Sequence, residues 1–168
     1  NKSSALFREA FLSGHLKFTH SGRAGIFQYL SALARSSKDK SRNTVLLPAF
    51  HCPTVVDPVL HANFKVRFYS VSEVLQVNEN DFLRKLDKDV AAVLFIRYFG
   101  IGGISKKLFA ASRACGAKVI HDCSHSFLKN SPLSLSGVDA DAAIYSFWKL
   151  LPSATVGGGV WCEDEAVN

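Results

Sequence analysis

At 168 residues, 48% hydrophobic and 20% charged, the chain has the size and composition of one folded domain, which excludes a disordered or low-complexity protein. Its net charge of +6 suits an anionic partner such as a phosphate or nucleotide, but the most basic run, SSKDKSRN at 36–43, has no interleaved aromatics and reads as a solvated loop rather than a nucleic-acid surface. The longest uninterrupted apolar run, VAAVLFI at 90–96, is far too short to span a bilayer and no signal peptide is visible, so a soluble cytoplasmic protein is expected, with neither membrane nor nucleic acid as partner.

Helix and strand patterns alternate along the chain. SSALFREAFL at 3–12 has helical apolar spacing, and the segment after Ser21 and Gly22 places Ile26, Tyr29, Leu30 and Leu33 on one helix face. A strand TVLLP at 44–48 follows, then a helical pattern through PTVVDPVLHA, a strand KVRFYSV at 65–71, a capped helix NENDFLRKL and a strand AAVLFIRYFG at 91–100. SKKLFAASRACG predicts a helix closed by Gly116, and strands are expected at 117–123, 141–148 and 157–164. Runs such as VLL, VLFI and VIH are apolar at every position, as strands of a parallel sheet covered on both faces must be, so the fold class is α/β with a mostly parallel sheet between helical layers.

The four cysteines show no CxxC spacing and lie in or beside apolar runs, as free buried thiols in a reducing compartment do. The chain contains no methionine and stops soon after an apolar strand, so a fragment of a longer protein is expected, with residues 1–168 forming one domain of it.

In an open parallel sheet, ligands bind beyond the carboxyl ends of the strands. There the expected strands deliver PAFHC at 48–52, RYFG at 97–100, Asp122 with His125, and Ser146 with Lys149. Lys149 lies within YSFWKLLP, with no acidic residue nearby to pair with it, so it either snorkels to the surface or sits desolvated with its amine free for chemistry. An amine, a carboxylate and a helix start at one rim meet the three requirements of pyridoxal 5′-phosphate. Each residue has a plainer reading: Asp122 as a loop or capping residue, His125 as a hydrogen-bonding core residue, Ser21 as a simple helix cap. Asp122, Cys123 and His125 are not expected to form a metal site, because the adjacent Asp122 and Cys123 point to opposite faces of a strand and no second cluster completes a tetrahedral site; Cys123 and His125 are not read as a nucleophile pair, and no metal is expected.

The series SGRAG, LLPAFHCPT, RYFG, VIHDCSHSF, YSFWK and GGG, in that order, resembles the DegT/DnrJ/EryC1/StrS family of fold-type-I aminotransferases, and the similarity covers nearly the whole chain. The resemblance implies a large cofactor-binding domain, with the family's small C-terminal domain absent. It implies that Lys149 forms the Schiff base with pyridoxal 5′-phosphate and that Asp122 binds the pyridine nitrogen. His125 stands near the ring's phenolic oxygen, and Gly22, Arg23 and Ala24 hold the phosphate with Ser146. Cys52 stands where many members have the aromatic residue that stacks on the ring, with Phe50 and His51 as substitutes. The lysine segment also departs from the family's usual spacing and resembles a branch with K-L-L-P followed by glycines. The implied activity moves an amino group, with glutamate the expected donor, onto a nucleotide-linked keto sugar or similar metabolite, in a homodimer. Elimination or dehydration on the same scaffold, and a domain that keeps only a binding role, are the alternatives.

Overall fold

A computed structural model describes residues 15–100, 104–126, 140–149 and 155–162. The expected helix at 3–12 and the last two residues of the strand expected at 157–164 lie outside the described residues. Seven strands form one mixed sheet: β1 (Leu16–Thr19), β2 (Thr44–Pro48), β3 (Lys65–Tyr69), β4 (Val90–Ile96), β5 (Lys118–Asp122), β6 (Ala142–Ser146) and β7 (Gly158–Cys162), in the order β1-β7-β6-β5-β4-β2-β3. The run from β3 to β6 is parallel, whereas β7 is antiparallel to both β6 and β1. The expected mostly parallel sheet is therefore present, with one reversed strand that composition does not reveal.

Alternation along each buried strand divides the core in two. Val45 and Leu47 of β2, Ala92 and Leu94 of β4, and Ile120 of β5 pack against α1 (Gly22–Ser36) and α2 (Val56–His61). Leu46, Val93, Phe95 and Val119 face the other way, onto Phe82 of α3 (Glu79–Lys85) and Leu108 of α4 (Lys106–Ala114). Ile26, Tyr29, Leu30 and Leu33, the helix face expected from the sequence, are all buried, and burying each such side chain contributes roughly 1.5–3 kcal/mol. The capped start of α3 and the Gly116 stop follow the sequence: Asn78 accepts from the Asp81 amide at 3.1 Å, and Gly116, at φ +80°, follows the last turn of α4, whose start is capped by Ser105 accepting from the Leu108 amide at 3.3 Å.

Several elements differ from the sequence reading, among them the strand expected at 91–100, which ends at Ile96 before a tight turn at Tyr98–Gly100. LKFT at 16–19 forms an edge strand, because Leu16 pairs with Trp161 and Thr19 with Gly158 across more than a hundred residues of sequence. The strand expected at 141–148 ends at Ser146, after which Phe147–Lys149 is a 3₁₀ turn held by the Phe147 amide on the Gly157 carbonyl at 2.9 Å. Among the described residues no helix is long and apolar enough to cross a membrane.

Asp81 fastens α3 to the end of β3. Its carboxylate accepts from the Ser70 amide at 2.8 Å, the Ser70 hydroxyl at 2.7 Å and Lys85 at 2.9 Å, and Arg84 lies at 2.6 Å. The Lys85 bond first, and then those from Ser70, hold this carboxyl well below the usual carboxylate range. Because its pKa in the folded chain is depressed, the stabilisation is complete above the ordinary carboxylate value and is lost as pH falls toward the lower folded one. Asp81→Asn should therefore cost about 1–3 kcal/mol in urea denaturation at neutral pH, with the gap from wild type narrowing below about pH 4.

Candidate functional site

The carboxyl ends of β2, β4, β5 and β6 and the start of α1 enclose a cavity of about 480 Å³. Of the site residues expected from the sequence, Gly22, Arg23, Cys52, Asp122, His125, Ser146 and Lys149 line it; Ala24 does not. The reason is local: the Ser21 hydroxyl already accepts from the Ala24 amide at 3.2 Å, so that amide caps the helix. The amides of Gly22 and Arg23 come earlier, where a helix offers no carbonyl acceptor.

The position of this helix start is set by glycines. A Cβ on Gly158 would lie 2.4 Å from the Ser21 carbonyl carbon and 2.6 Å from the Gly22 nitrogen, so only a residue without a side chain lets β7 pass. A Cβ on Gly22 itself would meet the Ser124 hydroxyl at 3.3 Å and the Tyr145 carbonyl oxygen at 3.4 Å, filling the space between the helix start and the ends of β5 and β6.

Asp122 closes β5 with 6% exposure. One carboxylate oxygen accepts from the Ser124 amide at 2.9 Å, which fixes the side chain at the wall of the cavity. Its neighbours take other directions. Cys123 is buried with Leu16 and Tyr145, where burial first and the Asp122 charge second push its thiol up to about 12. His121, 4% exposed, has both ring nitrogens buried without a hydrogen-bond partner among the described residues, and burial, reinforced by Arg97, pushes its imidazole down to about 4. Asp122 and Cys123, adjacent in sequence, thus face different surroundings, the cavity and an apolar cluster.

Lys149 is exposed at the mouth of the cavity, so the surrounding described residues do not desolvate it as one of the two sequence readings required. Its Nζ lies 3.4 Å from Nε2 of His125 and 6.0 Å from the centre of the half-exposed Trp148 ring. The 3₁₀ turn explains the outcome: it buries Phe147 and turns the next two side chains outward.

The loop after β2 contributes Phe50, His51 and Cys52. Cys52 is exposed rather than buried as the cysteine pattern suggested, and its Sγ lies 3.1 Å from the Thr54 hydroxyl, whose hydrogen bond is the main reason the thiol is shifted down. His51 donates from Nδ1 to the Pro48 carbonyl at 2.8 Å and stacks on Phe68 at 5.1 Å, which engages its ring. Phe50 is 61% exposed and tilts against Tyr98. Tyr98 donates its hydroxyl to the Phe50 carbonyl, and burial, with Asp122 next, pushes the phenol up to about 12, so it packs and braces the loop. Sequence reasoning missed Thr54 and Ser124 as lining residues, and it placed Phe99 on this rim without giving it a role. Phe99 carried a signal in its place within RYFG, beside a glycine.

Gly158→Ala should lower stability by about 1–3 kcal/mol through overpacking against the α1 backbone. Gly25→Ala, whose Cβ would meet nothing closer than 3.5 Å, should be neutral or stabilising, and chemical denaturation of the pair measures the difference.

No curated protein sequence matches the chain. Among solved structures it is similar to PseC of Helicobacter pylori, an aminotransferase involved in pseudaminic acid biosynthesis, with 13% identity and a TM-score of 0.76, covering 99% of this chain and 46% of that one. It is similar to the sugar aminotransferase CalS13 of Micromonospora echinospora, with 18% identity and a TM-score of 0.73, covering 99% and 47%. It is also similar to NtdA of Bacillus subtilis, solved with bound cofactor PMP, with 16% identity and a TM-score of 0.74, covering 90% and 34%. The chain thus spans less than half the length of each of these proteins, and at these identities the likeness is one of fold. The model of the DegT/DnrJ/EryC1/StrS aminotransferase family matches residues 6–168, nearly the whole sequence, and the chain belongs to that family.

Proposed function

We propose that the chain is the large, pyridoxal 5′-phosphate-binding domain of an aminotransferase that moves an amino group, with glutamate as donor, onto the keto group of a nucleotide-linked sugar or similar metabolite. The observation that carries this reading is the convergence of Asp122, Lys149, Ser146 and the uncapped first amides of α1 on one cavity.

The residues fit the cofactor. The notch that a Gly22 side chain would fill lies at a helix start, where amides and dipole favour a phosphate, and the buried Ser146 lines the same cavity. Asp122 is tied at one oxygen and suits a protonated pyridine nitrogen. Bound pyridoxal 5′-phosphate supplies an electron sink for the pair left when a proton leaves the substrate carbon. Asp122 holds the ring-nitrogen proton in place, and Lys149 anchors the cofactor and then, as a free amine, takes and returns the substrate proton at Nζ. Gly22, Arg23 and Ser146 fix the phosphate end. Of the three candidates for the ring face, His51 is engaged with Phe68, which leaves Phe50 and Cys52. The presence of both amine and carboxylate favours catalysis over a binding role alone.

Incubation with pyridoxal 5′-phosphate followed by borohydride should label the peptide that contains Lys149. Lys149→Ala should bind the cofactor without a covalent label, and Asp122→Asn should keep its fold while losing roughly 10²-fold or more in turnover. A label on Lys106, Lys107 or Lys118, or near-normal turnover in Asp122→Asn, would overturn the site. Sedimentation should show the active species as a homodimer.

A further inference from the structure

Lys149 presents an ammonium that has three donors and no acceptor. The 3.4 Å contact with His125 therefore works only if Nε2 carries the lone pair, which places the ring proton on Nδ1 and requires a neutral imidazole. The ring has a backstop: Phe99 stacks on it at 5.6 Å with an interplanar angle of 16°. Phe99 is 72% exposed and sits at φ +53°, a conformation costly for a bulky residue. Gly100, at φ +74°, follows and packs on Cβ of Ser126, the residue after His125, with only 3.3 Å between that atom and a Cβ built on the glycine. Two consecutive left-handed residues thus fit the end of the RYFG segment against the loop that carries His125.

We propose that His125, backed by Phe99, is a positioning residue for Lys149: its neutral Nε2 accepts from Nζ and keeps the amine in the cavity that Asp122 lines. The inference rests on the reading of Lys149 as the cofactor anchor and adds a pH-dependent control of that amine. The titratable and charged groups around the pair are Asp122 at the end of β5, Cys52 and His51 after β2, Tyr98 after β4 and Arg23 at the start of α1. Burial, then the Lys149 charge, lowers the His125 imidazole from its ordinary value, with Asp122 opposing. The contact is therefore complete above the ordinary imidazole pKa. It is lost as pH falls through the lower folded value, where two cations face each other.

Two measurements test this. In the cofactor-free protein, NMR titration of His125 should give a midpoint that moves up toward the ordinary imidazole value in Lys149→Met; an unchanged midpoint would overturn the pairing. In borohydride capture of pyridoxal 5′-phosphate at Lys149, His125→Gln keeps an acceptor that does not titrate. The ratio of wild-type to His125→Gln capture rate should be flat above the ordinary imidazole pKa and fall below it as His125 charges. A ratio independent of pH across that range would show His125 to be merely structural. If wild type captures no cofactor, the proposed function fails, whereas the imidazole titration still decides the His125–Lys149 pairing.

Discussion

The contact on which the site depends is the passage of β7 against the start of α1. With no side chain at 158, the strand lies so close to the backbone of Ser21 and Gly22 that a single methyl group would overlap it. This contact works with short local bonds: Thr19 donates to the Ser21 carbonyl at 2.8 Å, and the Gly157 amide donates to the His20 carbonyl at 2.9 Å. Since β7 also pairs with β6, the helix start is registered against the strand end that bears Ser146, and the Gly157 carbonyl holds the turn that bears Lys149. One glycine segment thereby connects the anion-binding end of the cavity to the amine.

The sheet supplies the remaining alignment. Its parallel strands end on a common rim, and their buried interiors leave little freedom to shift register, because a slip of one residue would turn every apolar side chain to the wrong face. Asp122 and its neighbours show the same rule at the scale of single residues. The carboxylate reaches the cavity, while Cys123 is packed among apolar side chains and the His121 ring sits edge-on to Phe95 with no hydrogen-bond partner among the described residues.

Much of this was legible in the sequence. The unbroken apolar runs of β2, β4 and β5, the four-residue face of α1, the capped start of α3 and the Gly116 that closes α4 are local signals that tertiary packing reinforces. What escaped depends on distant partners or on competition for one group. LKFT offers a strand only because β7 lies beside it, and the reversed direction of β7 has no counterpart in composition. Apolar neighbours suggested burial for Cys52 and left Lys149 open between surface and interior, yet a strand-end loop exposes the first and a 3₁₀ turn the second. Ala24 was expected to hold phosphate, but the Ser21 hydroxyl uses its amide first.

The central claim is that one cavity grips the cofactor at both ends, its phosphate at the start of α1 and its ring nitrogen at Asp122. A crystal structure of the protein with pyridoxamine 5′-phosphate tests it most directly, because the phosphorus and the ring can be located independently. The account predicts the phosphate against the Gly22 and Arg23 amides and Ser146, with the ring nitrogen within hydrogen-bond reach of the Asp122 carboxylate. A cofactor bound in the reverse orientation, or in another cleft, would contradict it.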